Sequence, residues 1–211
     1  GLKAIADGTY GLIGRTPDHV AGMVTGLAMK PEVLEELGAG RGKNLMAYYG
    51  HARKNDLYLA FACVPPTGIR APDMFPGQER KDPTLRVVDE DAEGVTISGM
   101  KMLATGAVFA NEIWIGNLIP LAPNQALESI TCAVPVNAPG LTLWSRKPAA
   151  AGLTSEFDSP LAWRYDESDS MLMCDNVKVP WERVFVHDDA LLSRDIYIKT
   201  PSHCFGNHQS N

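Results

Sequence analysis

At 211 residues, 45% of them hydrophobic and 21% charged, the chain is long enough to bury a substantial core and has the composition of an ordinary globular protein. A formal net charge of −6 leaves no basic surplus to track phosphates, so neither nucleic acid nor an anionic membrane surface is an expected partner. The longest apolar stretch, 113–121, is broken by Gly116, Asn117 and Pro120 well short of a bilayer span, and no signal peptide is expected from the residues at the N-terminus. Cys63, Cys132, Cys174 and Cys204 stand singly with no CxxC pair, which argues against a zinc or iron–sulfur site. No metal is therefore expected. Three of the four lie in apolar runs and read as small buried hydrophobes, reduced thiols of a cytoplasmic protein.

The first sixty residues have a helical pattern. Thr16 serves as an N-cap, Pro17 occupies the first helical position and Asp18 the first turn, followed by Val20, Met23, Val24, Leu27 and Ala28 at helical spacing. Pro31 ends this helix. A short second helix is expected over 31–37, stopped by Gly38 and Gly40, and a third over 43–54. The uninterrupted apolar run 57–64, closed by Pro65-Pro66, suits a strand buried on both faces. A loop rich in proline and charge follows over 67–83. Residues 85–88 and 95–99, around the turn Asp91-Ala92-Glu93-Gly94, predict a hairpin. Further strands are expected at 101–104, 113–119, 130–136, 141–143, 171–174 and 177–179, giving a small antiparallel β domain. After Asp188 the pattern returns to helix. A helix that starts a few turns before the last residue cannot bury its apolar face alone, so the chain is expected to be a piece of a larger protein.

An α–β–α order narrows the fold without naming it, and four local stretches go further. They are Gly14-Arg15-Thr16-Pro17-Asp18; Val64-Pro65-Pro66 running to Arg70; Val95 through Gly106 (VTISGMKMLATG); and Trp163 through Asp169 (WRYDESD), followed by Cys174 through Val184 (CDNVKVPWERV). In order and spacing these resemble the large-component family of 4-hydroxyphenylacetate 3-monooxygenase, flavin-dependent monooxygenases that share the acyl-CoA dehydrogenase fold and include chlorophenol monooxygenases. The resemblance implies an α+β, acyl-CoA dehydrogenase-like architecture. Residues 1–55 would be the end of an N-terminal helical domain, 56–187 a barrel-like middle antiparallel β domain, and 188–211 the start of a C-terminal helical domain that is missing.

The same resemblance assigns a site. Thr105 would contact the N5 or O4 region of FAD, while Thr67, Gly68, Ile69 and Arg70 would lie against the flavin and its phosphates. Arg70 offers a donor fork suited to a phosphate, and Gly68 permits close backbone approach. Arg15 would point into the substrate cavity, hold a phenolate oxygen and support catalysis; Asp18 is read as a helix-start charge. Two positions depart from the hydroxyphenylacetate enzymes. His19 stands where they have a substrate-contacting tyrosine, and Phe61 aligns with their substrate-binding histidine, so a more apolar or differently substituted aromatic is expected. His203 and His208 are candidate bases, with His208 the better match. His51 and His187 are read as surface residues. The Trp163–Asp169 stretch is read as structural, and Trp181 as a buried aromatic anchor.

The function implied is that of a two-component monooxygenase. FADH2 supplied by a separate reductase and O2 would hydroxylate a phenolic substrate through a flavin C4a-hydroperoxide, in a full-length homotetramer. No GxGxxG fingerprint occurs, which argues against a nicotinamide site in this chain. The alternatives are an acyl-CoA dehydrogenase- or dehydratase-like flavoenzyme, or a truncated non-catalytic domain. The dehydratase branch, whose cluster uses N-terminal cysteines, is disfavoured because no cysteine precedes Cys63.

Overall fold

Val20, Met23, Val24 and Leu27 recur at intervals of three and four, and these are the positions buried by helix α2 (Asp18–Ala28). The computed structural model describes residues 2–10, 18–36, 38, 40–66, 83–166 and 168–207. The expected cap at Thr16 and Pro17 and most of the 67–83 loop lie outside them. A helix α1 (Leu2–Thr9) precedes α2, and α3 (Glu32–Glu35) and α4 (Arg41–Lys54) follow it. The opening backbone N–H groups of α4 need acceptors, and one carboxylate supplies them. Glu35 Oε2 accepts from Gly40 N at 2.8 Å, and Oε1 from Gly42 N at 2.9 Å and Lys43 N at 3.3 Å.

Among the described residues, eight strands form two four-stranded sheets. The first has the order β1 (Leu59–Ala62), β4 (Glu112–Ile115), β5 (Thr131–Pro135), β8 (Val184–Val186). The second runs β2 (Arg86–Glu90), β3 (Gly94–Lys101), β7 (Ser170–Pro180), β6 (Leu141–Ser145). Side chains alternate across each strand, so each strand of the first sheet divides its residues between two cores. Ala60, Ala62, Ile113, Ile115, Cys132 and Val134 pack with residues of the second sheet such as Val95, Ile97, Leu172 and Val177. Leu59, Phe61, Trp114, Ala133 and Phe185 pack with Val20, Leu27, Leu45, Tyr48 and Ile196 from the helices. Both faces of this sheet are covered, which is why β1 reads as four consecutive buried residues.

Several expectations are corrected. The β region is not wholly antiparallel: β1 pairs with β4 in parallel, Leu59 opposite Glu112 through Ala62 opposite Ile115. The chain leaves β1, contributes β2 and β3 to the other sheet and returns, and a strand re-entering by a crossover lies parallel to its neighbour. The strand expected at 101–104 is absent because β3 ends at Lys101 and Leu103 adopts φ 60, outside the extended region. The strands expected at 171–174 and 177–179 are one strand, β7, with Asn176 at φ 52 where the register against β3 shifts. His187 is not a surface residue. It lies edge-on to Trp181 at 5.5 Å, with Nε2 3.2 Å from Glu90. Trp181 itself is half-buried, its ring under the Arg41 guanidinium at 4.9 Å and its indole N–H donating to Asp91 O at 2.9 Å. Cys63, Cys132 and Cys174 are buried free thiols as expected, and Cys204 is exposed.

A short helix α5 (Pro160–Arg164) precedes β7, and α6 (Leu192–Lys199) and α7 (Ser202–Gly206) follow the sheets. Helices α2 and α7 cross backbone to backbone: a Cβ on Gly26 would lie 2.4 Å from Ser202 N and Cα. No side chain can yield there, so Gly26→Ala is expected to push the helices apart at a cost of about 1–3 kcal/mol. Urea unfolding measures it, with Gly50→Ala, on the exposed face of α4 with nothing within 4 Å, as the control. That control should gain about 0.5–1 kcal/mol through helix propensity. Equal stability of the two variants would refute the close crossing.

Candidate functional site

A cleft of about 960 Å³ opens between α2, β1, the turn after β3, and α6 with α7. Its size is that of a pocket for a cofactor or a drug-sized ligand. Val20, Met23, Phe61, Val64, Leu118 and Ile198 give it an apolar wall, and His19, Thr105, Asp169, Arg194, His203 and Asn207 supply the polar groups. Tyr197 backs the α6 side. Its hydroxyl accepts from the buried Trp114 indole N–H at 3.0 Å, and its ring lies 6.0 Å from that of Phe61.

The turn that carries Thr105 is tied down at three successive residues. Ala104 N–H donates to Ser170 O at 2.8 Å and Gly106 N–H to Ser168 O at 2.7 Å. Between them the Thr105 hydroxyl donates to Asp169 Oδ1 at 2.6 Å. Gly106 has φ 73, and a Cβ there would lie 2.2 Å from the Tyr58 hydroxyl, so the turn closes only with glycine. Arg146 continues the network on the far side, its Nε 3.5 Å from Asp169 Oδ2 and its Nη2 2.5 Å from Asp166 Oδ1. Its guanidinium holds the Asp166 carboxyl below the usual carboxylate range.

Two histidines line the cleft with opposite polarity. His19 Nδ1 lies 2.6 Å from Gly206 O, and a carbonyl can only accept, so Nδ1 carries a proton and Nε2 of the neutral ring is an acceptor. The Asn207 amide Nδ2 lies 3.0 Å from His203 Nδ1, and an NH2 group can only donate, so the neutral His203 carries its proton on Nε2. Beneath the turn, Lys101 is fully buried and donates from Nζ to Asn117 Oδ1 at 2.6 Å. Asn117 Nδ2 in turn donates to Ser193 Oγ at 2.9 Å and Glu128 O at 3.0 Å, linking β3 to α6. Burial lowers the Lys101 pKa to about 8.

The structure brings four of the sequence-expected residues, His19, Phe61, Thr105 and His203, to one cleft. Arg15, Thr67, Gly68, Ile69, Arg70 and His208 lie outside the described residues. Of the two candidate bases, His203 lines the cleft. Asp169 and Arg194 were missed. Asp169 sits at the end of the WRYDESD stretch, read as structural, and only its pairing with Thr105 reveals a place at the cleft; Arg194, an exposed arginine on a helix, carried no signal at all. Among the described residues no cluster of His, Cys, Asp and Glu is placed to hold a metal ion, and no helix is long and apolar enough to cross a membrane.

Comparison with known proteins places this architecture. A family model described as 4-hydroxyphenylacetate 3-hydroxylase N terminal matches residues 1–186. The chain is 30% identical over 204 residues to a probable 4-hydroxyphenylacetate 3-monooxygenase of Bacillus subtilis, covering 95% of this chain and 41% of the relative. It is 35% identical over 182 residues to the oxygenase component of a 4-nitrophenol 2-monooxygenase of a Rhodococcus species, covering 85% of this chain and 33% of that one. The crystal structure of HpaB, the oxygenase component of 4-hydroxyphenylacetate 3-monooxygenase complexed with FAD, superposes with a TM-score of 0.85 at 30% identity, over 99% of this chain and 42% of HpaB. The chain thus spans about two fifths or less of the length of these relatives. With the match running from the first residue to the end of β8, the chain belongs to the 4-hydroxyphenylacetate 3-hydroxylase N-terminal family.

Proposed function

We propose that this chain forms the FAD- and substrate-binding portion of a two-component monooxygenase that uses reduced FAD and O2 to hydroxylate a phenolic aromatic. The observation that carries the reading is a cleft with an apolar wall and one edge of fixed polar groups, in a chain whose family relatives are named as such oxygenases. The residues present fit a flavin: a flat ring needs apolar contact on its faces and hydrogen-bonding groups along one edge, and Leu103, Val64, Thr105 and Asp169 offer both. Thr105 would face the flavin ring and Thr67, Gly68, Ile69 and Arg70 its phosphate side. When bound, reduced flavin supplies the electrons that activate O2 for transfer of one oxygen atom to the ring.

The chain's own side chains handle the phenol. His203 Nε2–H and the Arg15 guanidinium donate to the phenolate oxygen and stabilise the ionised, electron-rich ring. His19 lines the same cleft as His203, within the wall that the phenol would meet. His203 thus acts as a donor, and His208, the base that the family pattern gives, keeps that role in this reading. Phe61, where a polar residue would hold a charged substituent, favours an apolar or halogen- or nitro-substituted phenol. The apolar wall excludes water from the reacting oxygen. A separate reductase, a homotetramer in the full-length protein and a cytoplasmic location complete the reading; the buried free thiols support the last.

The test is turnover of a phenol panel by the full-length protein with chemically reduced FAD under 18O2. The expected result is a product heavier by one labelled oxygen atom. Flavin binding without hydroxylation of any phenol, or anaerobic bleaching of oxidised FAD by an acyl-CoA thioester, would overturn the assignment.

A further inference from the structure

We infer that Asp169 is a positioning residue that makes the cleft select reduced over oxidised flavin, by fixing the direction of the Thr105 hydroxyl. This rests on the reading that FAD occupies the cleft with Thr105 at its N5 edge. The hydroxyl has one proton, and it is spent on Asp169 Oδ1 at 2.6 Å. A carboxylate has only acceptor sites, so it cannot return a proton to Thr105. Towards the cleft, Thr105 Oγ1 therefore presents lone pairs and no hydrogen.

The two redox states of an isoalloxazine differ at the atom it meets. Oxidised N5 is a bare acceptor, and two-electron reduction adds a hydrogen and makes it a donor. Thr105 oriented by Asp169 accepts from N5–H of the reduced ring and sets lone pair against lone pair for the oxidised one. Reorientation is blocked on every side that matters. The flanking bonds from Ala104 and Gly106 to Ser170 and Ser168 hold the backbone of the turn, and Arg146 Nε steadies the second carboxylate oxygen. The same turn would hold a threonine with either hydroxyl rotamer; Asp169 is what makes one of them obligatory. Thr105 and Asp169 both line the cleft, so the pair is in reach of what binds there.

The experiment compares dissociation constants for oxidised FAD, by fluorescence quenching, and for reduced FAD, anaerobically, in the full-length protein and its variants. The wild type should favour the reduced form. In Asp169→Asn the amide nitrogen donates to Thr105, frees the hydroxyl proton for oxidised N5, and should bring the reduced-to-oxidised preference down about tenfold, the worth of one hydrogen bond. Thr105→Val should lose the preference to a similar extent, Thr105→Ser should keep it, and adding Asp169→Asn to Thr105→Val should change the ratio no further. If Asp169→Asn does not fold, the Val and Ser variants still decide the matter. A wild-type preference left intact in Asp169→Asn or in Thr105→Val overturns the inference and leaves the flavin site standing. Failure of the wild type to bind either form of FAD overturns the flavin reading and this inference with it.

Discussion

Trp114→Ala is expected to lower folding stability by about 3–5 kcal/mol, the range for removing a fully buried aromatic, and to unseat α6 from the sheet. Trp114 has 0% exposure and lies flat on Phe185 at 4.6 Å and 9°, with Tyr48 5.7 Å away. It also reaches through the helical layer to the Tyr197 hydroxyl, so its loss leaves a cavity and a buried hydroxyl without its donor. Because Tyr197 backs the cleft, ligand binding should weaken along with stability. Trp114→Phe refills much of the volume but restores no donor, and should cost about 1–3 kcal/mol. Urea unfolding followed by circular dichroism reads both. Equal costs for the two variants would show that volume is irrelevant at this site and that only the hydrogen bond counts.

Lys101→Met is expected to change the pH dependence of stability more than its value at neutral pH. The folded protein holds the lysine pKa at about 8, below its ordinary 10.5, chiefly because burial disfavours the ammonium. The folded state therefore binds fewer protons than the unfolded chain between those two values, and this residue contributes increasing stability as pH rises from 8 to 10.5. Below 8 the full burial cost of the charge is present, roughly 3 kcal/mol. Methionine removes that cost but strips Asn117 Oδ1 of its donor, worth about 1–3 kcal/mol, so the two effects largely offset at pH 7. By pH 10 only the loss remains. The difference between wild type and variant, measured by denaturant unfolding from pH 7 to 10, should therefore grow in favour of the wild type. Taking the difference cancels the buried Cys132, Tyr48 and Tyr197, whose raised pKa values act in the opposite sense in both proteins. A flat difference would mean that Lys101 reaches water.

What the sequence made legible is what local pattern encodes. The apolar run of β1, the hairpin of β2 and β3 and the stripe of α2 each carry their own periodicity, and the α+β order follows from them. Partner choice does not: nothing in LAFA says that it pairs in parallel with a strand some fifty residues on. Leu103 ended a strand through a left-handed backbone that no local preference of leucine foretells, and Asn176 let one strand continue where two were expected. At the site, Thr105, His19 and Phe61 were found through family spacing. Asp169 was not, because its meaning lies in a contact across sixty-four positions with Thr105. The acceptor and donor forms of His19 and His203 were likewise invisible, since each is set by a neighbour, Gly206 or Asn207, whose role exists only once the helix has formed.

The crossing of α2 and α7 has a consequence for how the molecule folds and how a ligand bears on it. His19 and Gly206 touch across 187 positions of chain. A contact of that span carries a large loop-closure cost when the intervening chain is disordered, and the two sheets shorten that loop once they are formed. By the same token the seam between α2 and α7 is the region whose opening disturbs least of what lies beneath. A molecule held between α2 and α7 then acts as a clasp on two helices that lie far apart along the chain. Its binding adds RT ln(1 + [L]/Kd) to the stability of the whole, about 2.7 kcal/mol at a hundredfold excess over Kd, so occupancy and persistence of the fold rise together.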